Sequence, residues 1–168
     1  QVGIMFFDFE QGEWIANFDK VLVLPFGSLK MPADAEASHT LTYDKGGMFM
    51  QYETRGDTTV LRCRHEGFET ELTLTRENPC SIALNVPFDE SPTRFYYNQK
   101  INCMRAAGQV KVGDKTYVFD PGDSFGLLDW GRGVWPFHNE WFWSNGTGLV
   151  GGEVFGFNLG CGFGNTET

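Results

Sequence analysis

The side chains best able to do chemistry lie in residues 129–143, which hold four of the five tryptophans together with Asp129, Arg132, His138 and Glu140. Large aromatic surfaces with a few polar groups set among them are typical of small-molecule pockets. A segment that only packed in a core would have no use for these charges, because a charge removed from water must be paired. The segment therefore indicates a binding site more clearly than it indicates a reaction.

Asp129 and Arg132 have two interpretations. Residues three apart in a regular strand point to opposite faces, but Gly131 and Gly133 permit a bulge that would bring the two side chains together. They then form either a buried structural ion pair or an arginine clamp for a ligand carboxylate or carbonyl, with Asp129 orienting the guanidinium. Both readings predict that the two residues are partners.

His138 and Glu140 are candidates for acid–base catalysis, as is Asp129. If their segment is a strand, positions 138 and 140 share a face, and a histidine beside a carboxylate can transfer protons near neutral pH. The alternative is a solvent-facing loop. We expect no metal site, because His39 and His65 lie in distant turns and supply no third ligand.

The tryptophans of this segment are expected to fill the core, to line a pocket, or to do both in a barrel. They are Trp130, Trp135, Trp141 and Trp143. As a pocket lining, their indole N–H groups would favour an apolar ligand with one polar end. No motif for a cofactor accompanies them, and none is expected.

A second polar and aromatic segment spans residues 96–100. In a strand, Tyr96, Asn98 and Lys100 share one face, and Tyr97 and Gln99 share the other. Lys100 on an inner face would be a ligand-binding residue. The alternative is an ordinary lysine whose stem packs while its amine stays in water.

The elements that position these residues are predicted to be strands. Apolar and polar residues alternate along the chain, and 16 Phe and 21 Gly suit packed sheets joined by tight turns. Strands are separated by turn signals at residues 44–47, 55–57, 65–67, 113–114 and 145–146. Residues 148–164 read as one further long strand. We predict one all-β domain over residues 1–168, an antiparallel meander forming a lipocalin-like barrel or a curled sandwich.

Charge and composition limit the partners. A net charge of −9 repels nucleic acid, and no apolar run is long enough to span a bilayer. The four cysteines are widely spaced, so we expect reduced, mostly buried thiols in a cytoplasmic protein. The flat, apolar strand near the C-terminus could pair with a second chain.

The chain resembles the family catalogued as domain of unknown function 2804. The resemblance rests on residues 97–101 followed by Gly108, on residues 128–136, on residues 141–143 and on residues 156–160, which include Asn158. It implies that members of the family are roughly twice as long as this chain and that the chain is a middle portion lacking both ends. It brings no established activity. A remoter likeness of fold, to lipocalin-like proteins of the carotenoid hydratase and tocopherol cyclase type, suggests apolar, isoprenoid-like ligands.

Three hypotheses follow. The first is a binding module for a lipidic, isoprenoid-like or aromatic molecule. The four tryptophans would form its walls, Arg132 and Asp129 would anchor the polar end of the ligand, and Lys100 and Asn158 would also bind it. The second is a cofactor-independent hydratase, cyclase or isomerase that uses Asp129, His138 or Glu140. The third is a structural β-domain whose aromatic residues only pack sheet against sheet.

Overall fold

The computed structural model describes residues 2–20, 29–89, 91 and 93–165. Their regular structure consists of strands: β1 (Val2–Asp8), β2 (Glu13–Lys20), β3 (His39–Lys45), β4 (Met48–Arg55), β5 (Thr58–His65), β6 (Phe68–Thr75), β7 (Ile82–Pro87), β8 (Phe95–Val112), β9 (Lys115–Phe119), β10 (Phe125–Val134), β11 (Phe142–Val150) and β12 (Glu153–Cys161). The all-β prediction is confirmed. No helix long and apolar enough to cross a membrane occurs in this part of the chain.

The strands form three antiparallel sheets. The largest has the order β10-β8-β6-β5-β4-β3, and β7 and β9 also pair with the long strand β8. The hairpins β1–β2 and β11–β12 are separate two-stranded sheets. The strands described do not close into a barrel, so the antiparallel arrangement is confirmed and the lipocalin-like barrel is not.

Four of the five predicted turns join strands as expected. Gly46 and Gly47, with φ of 60° and 76°, connect β3 to β4, and both angles suit a tight two-residue hairpin turn. The turns at residues 56–57, 66–67 and 113–114 connect the next hairpins in the same way. Glycine tolerates positive φ at little cost, which is why local sequence predicts these reversals.

The fifth predicted turn, at residues 145–146, is wrong. Both residues lie inside β11, and the chain reverses at Gly151 and Gly152, with φ of 63° and 89°. Residues 148–164 are therefore not one strand but the end of β11, this turn, β12 and a short tail. Asn145 instead donates to Asn102 Oδ1 at 2.8 Å, which ties β11 to β8.

A bulge in β8 sets which side chains face the core. Between Gly126 and Leu128 of β10, β8 contributes one extra residue, and Cys103 in this bulge has φ of 60°. The extra residue reverses the alternation of β8. Ile101 before the bulge consequently shares the buried face with Met104 after it.

The core occupies this buried face as two apolar clusters. One contains Ala35, Leu74, Ile101, Met104, Ala106 and Trp130. The other, beneath the β1–β2 hairpin, contains Ala16, Cys63, Phe68 and Val110. All four cysteines are free thiols, but only Cys63 is buried, so the expectation of mostly buried thiols is wrong. Burial raises the pKa of the Cys63 thiol to about 11.

Asp8 fastens the β1–β2 hairpin to β9. Its carboxylate accepts hydrogen bonds from the backbone N–H of Gln11 at 3.1 Å, from Lys115 Nζ at 3.3 Å and from the Tyr117 hydroxyl at 3.2 Å. These donors, the Gln11 N–H first among them, hold the pKa of Asp8 below its ordinary value of 3.8.

Candidate functional site

A large cleft lies on the second face of the β7, β8 and β10 strands, opposite the core. Lys100 of β8 pairs with Ile82 of β7 on one side and with Asp129 of β10 on the other. Because alternate residues share a face, the floor of the cleft consists of Ile82, Leu84, Val86, Tyr96, Asn98, Lys100, Asp129 and Gly131. The predicted shared face of Tyr96, Asn98 and Lys100 is confirmed. We call this space, about 1270 Å³ in volume, the aromatic cleft.

Lys100 and Asp129 form an ion pair on this floor, which we call the charged pair. Lys100 Nζ lies 2.6 Å from Asp129 Oδ2, and the exposed fractions of the two side chains are 10% and 33%. The ammonium also lies 4.6 Å from the ring centre of Trp143, within range of a cation–π interaction. Asp129 of β10 and Trp143 of β11 thus hold the buried positive charge of Lys100 in place.

Asn98 extends the polar floor from the charged pair to Tyr96. Its fully buried Nδ2 lies 2.6 Å from Asp129 Oδ1, 2.6 Å from the Tyr96 hydroxyl and 2.9 Å from the Trp130 carbonyl oxygen. Burial, together with the nearby negative charge of Asp129, raises the pKa of Tyr96. The Tyr96 hydroxyl therefore keeps its hydrogen at neutral pH and can donate it.

Gly131 makes room for the Tyr96 ring. A Cβ at position 131 would lie 2.8 Å from Tyr96 Cε2 and 3.0 Å from its hydroxyl oxygen. Glycine at this position leaves the space that the Tyr96 ring occupies while its hydroxyl reaches Asn98. This glycine thus has a packing role rather than the bulge-forming role expected from the sequence.

Aromatic rings surround the other side of the cleft. Phe163 contacts three of them, with ring centres 4.5 Å from Tyr96, 6.1 Å from Trp135 and 5.2 Å from Trp141. Gly162 and Gly164, both at positive φ, turn the chain sharply on either side of this ring. Trp135, Trp141 and Trp143 all line the cleft and are roughly half exposed.

The β11–β12 hairpin covers the end of the cleft near the charged pair. Trp143 Nε1 donates to Asn158 Oδ1 at 2.5 Å across the hairpin, and both residues line the cleft. Asn102 Nδ2 donates to the Phe157 carbonyl oxygen at 3.0 Å, which attaches the hairpin to β8. The position of Trp143 above Lys100 therefore depends on contacts between two separate sheets.

The structure changes the assignment of several predicted site residues. Asp129 is the partner of Lys100, so the expected pairing of Asp129 with Arg132 is wrong. Arg132 is exposed, points to the opposite side of β10 and lies 5.9 Å from the ring centre of Tyr97. Trp130 is 7% exposed and packs in the core, so it does not line the cleft.

His138 and Glu140 do not share a strand face. They lie in the irregular segment between β10 and β11, where both are exposed. Phe137, Asn139 and Trp141 of this segment line the cleft, but these two residues do not. The loop interpretation is therefore correct for them, and of the three catalytic candidates only Asp129 borders the cleft.

Phe163 is a residue of the aromatic cleft that the sequence analysis does not predict. An aromatic residue between two glycines, just beyond a strand, is the local signal that marks Phe163.

Among the described residues, no group of three or more His, Cys, Asp or Glu side chains is placed to hold a metal ion.

The chain belongs to the family described as Domain of unknown function (DUF2804), whose model matches residues 1–168. The resemblance expected from the tryptophan and glycine motifs is thereby confirmed. No curated protein and no solved structure matches the chain.

Proposed function

We propose that the aromatic cleft binds a small molecule with a lipidic, isoprenoid-like or aromatic body and one polar end. The observation that carries the proposal is the charged pair at the base of a cleft of about 1270 Å³ surrounded by aromatic rings. Ligand pockets typically enclose roughly 300–1,000 Å³ and combine apolar surfaces with a few converging polar groups. The cleft has this composition and room for a large ligand.

The half-exposed tryptophans support binding over a purely structural role. A large aromatic side chain stabilises a fold by about 1.5–3 kcal/mol when it is fully buried. Trp135, Trp141 and Trp143 are 47%, 56% and 44% exposed, so much of this stabilisation is not realised in the fold alone. An apolar ligand lying against the rings would bury the remaining surface.

A cofactor-independent enzyme is the alternative, and the positions of its candidate catalytic residues leave it little support. Asp129 is the only one that borders the cleft, and both of its oxygens already accept hydrogen bonds, from Asn98 and from Lys100. A carboxylate held in this way is better suited to orienting a polar group than to removing a proton. The geometry therefore favours a binding module.

Titration of the intrinsic tryptophan fluorescence with fatty acids, isoprenoids and aromatic acids tests the proposal. We expect saturable binding, weakened about tenfold in Trp143→Ala, because an aromatic contact contributes roughly 0.5–1.5 kcal/mol beyond its buried area. Trp14→Ala is the control, because Trp14 is an exposed tryptophan on β2 that does not line the cleft. Absence of saturable binding by every compound would contradict the proposal. Turnover of a bound compound that Asp129→Asn abolishes without loss of binding would favour the enzyme.

A further inference from the structure

We infer that the polar end of the ligand is an uncharged hydroxyl group that bridges Lys100 and Asp129. The inference rests on the proposed function and specifies the chemical class of its ligand. Three features support it: the charge balance of the cleft, the hydrogen-bonding capacity of the charged pair, and the apolar surroundings of that pair.

The cleft is electrically balanced. Of the described residues that line it, Lys100 and Asp129 are the only charged ones, and they neutralise each other at 2.6 Å. A ligand carboxylate near Lys100 would gain one attraction but would also face the carboxylate of Asp129. A ligand amine near Asp129 would face the ammonium of Lys100 in the same way. Neither the carboxylate nor the amine of a ligand would meet an opposite charge that lacks a partner in the cleft.

The charged pair offers a donor and an acceptor side by side. An ammonium has three N–H groups, of which one is directed at Asp129 Oδ2, while Trp143 covers another side of the nitrogen. Each carboxylate oxygen of Asp129 has two lone pairs. Oδ1 accepts one hydrogen bond from Asn98, and Oδ2 accepts one from Lys100. A hydroxyl group both accepts and donates, so it can satisfy Lys100 and Asp129 together.

The surroundings penalise an unmatched charge. Ile82, Leu84 and Trp143 border the same part of the cleft, and Lys100 is nine-tenths buried. Transfer of an ionised group into such surroundings without a partner costs far more than transfer of a hydroxyl that makes its hydrogen bonds. This cost of transfer should make an ionised ligand bind more weakly than a neutral ligand with the same apolar body.

Two matched ligand series test the inference on the full chain. One is geraniol, geranate and geranylamine, and the other is naphthylmethanol, naphthoate and naphthylmethylamine. We expect the alcohol of whichever series binds to have a dissociation constant at least about tenfold below those of its acid and amine at neutral pH. Equal or tighter binding of the acid or the amine would overturn the inference but leave the proposed function intact. Absence of binding by all six compounds would count against both.

Charge variants test whether the charged pair makes the distinction. Asp129→Asn leaves Lys100 unbalanced and is expected to shift the ratio of acid to alcohol affinity at least about tenfold toward the acid. Lys100→Met is expected to shift the ratio of amine to alcohol affinity equally far toward the amine. Glu71→Gln is the control, because Glu71 pairs with Arg62 away from the aromatic cleft. Its affinity ratios for the acid, the alcohol and the amine should match those of the wild type. Acid-to-alcohol and amine-to-alcohol affinity ratios that stay at their wild-type values in both pair variants would overturn the inference. If a variant does not fold, the affinities of the wild type decide it alone.

Discussion

Lys100 and Asp129 lie directly opposite each other in the β8–β10 pairing, and their side chains meet at 2.6 Å on the face that bears the aromatic cleft. The pair is asymmetric, because the side chain of Lys100 is 10% exposed whereas that of Asp129 is 33% exposed. The aspartate keeps contact with water and with Asn98, while the ammonium depends on its carboxylate and on Trp143. Loss of the two partners should therefore have unequal consequences.

Asp129→Asn is expected to lower the free energy of unfolding by about 1–3 kcal/mol, because a nearly buried ammonium loses its compensating charge. Lys100→Met should cost less, since the remaining carboxylate is partly solvated. Urea denaturation of both variants and of the double variant measures the difference. Glu71→Gln in the exposed pair with Arg62 is the control and should change stability by no more than about 1 kcal/mol. A larger loss in Lys100→Met than in Asp129→Asn would contradict this account of the pair.

Gly131→Ala is expected to lower the free energy of unfolding by about 1–3 kcal/mol and to weaken ligand binding, because the new methyl group would meet the Tyr96 ring at 2.8 Å. The matched control is Gly148→Ala in β11, where a Cβ would have no heavy atom within 4 Å. That change should be neutral or slightly stabilising, since alanine restricts the unfolded chain. Thermal unfolding and ligand titration of the two variants measure both effects, and equal behaviour would show that Tyr96 does not depend on this glycine.

The stability contributed by Asp8 should depend on pH. Its folded pKa is lower than its ordinary value of 3.8, so the unfolded chain takes up a proton first as the pH falls. The contribution is therefore fully present above about pH 5, decreases as the pH falls through 3.8, and is lost below the folded pKa. In Asp8→Asn the free energy of unfolding should accordingly lie below that of the wild type at neutral pH and approach it in acid. A difference that stays constant from neutral pH to about pH 3 would show that the Asp8 charge contributes no stability.

Local patterns in the sequence predict most of the strands and four of the turns, because alternation and glycine-rich reversals are properties of adjacent residues. The turn at residues 145–146 is the instructive error. Asn-Gly favours a hairpin, but Gly151 and Gly152 can both adopt positive φ without strain, so the reversal forms there and Asn145 bonds to Asn102 instead.

The composition of the site is predictable from the sequence, but its pairings are not. Lys100 and Asp129 are 29 positions apart, and their meeting depends on the register of β10 against β8, which the bulge at Cys103 shifts. The same register places Trp130 in the core, whereas Trp143 reaches the cleft through the docking of a separate hairpin. Neither relationship is encoded in the spacing of residues along one strand.

Proton–nitrogen NMR spectra of the tryptophan indole groups, recorded during titration with a ligand that binds, test the central claim most directly. The chain has five tryptophans, and three of them line the aromatic cleft. The account predicts saturable shifts of the indole signals of Trp135, Trp141 and Trp143, while those of Trp130 in the core and Trp14 on β2 stay in place. Saturable shifts confined to Trp14 or Trp130, or no shift of any indole at saturating ligand, would contradict it.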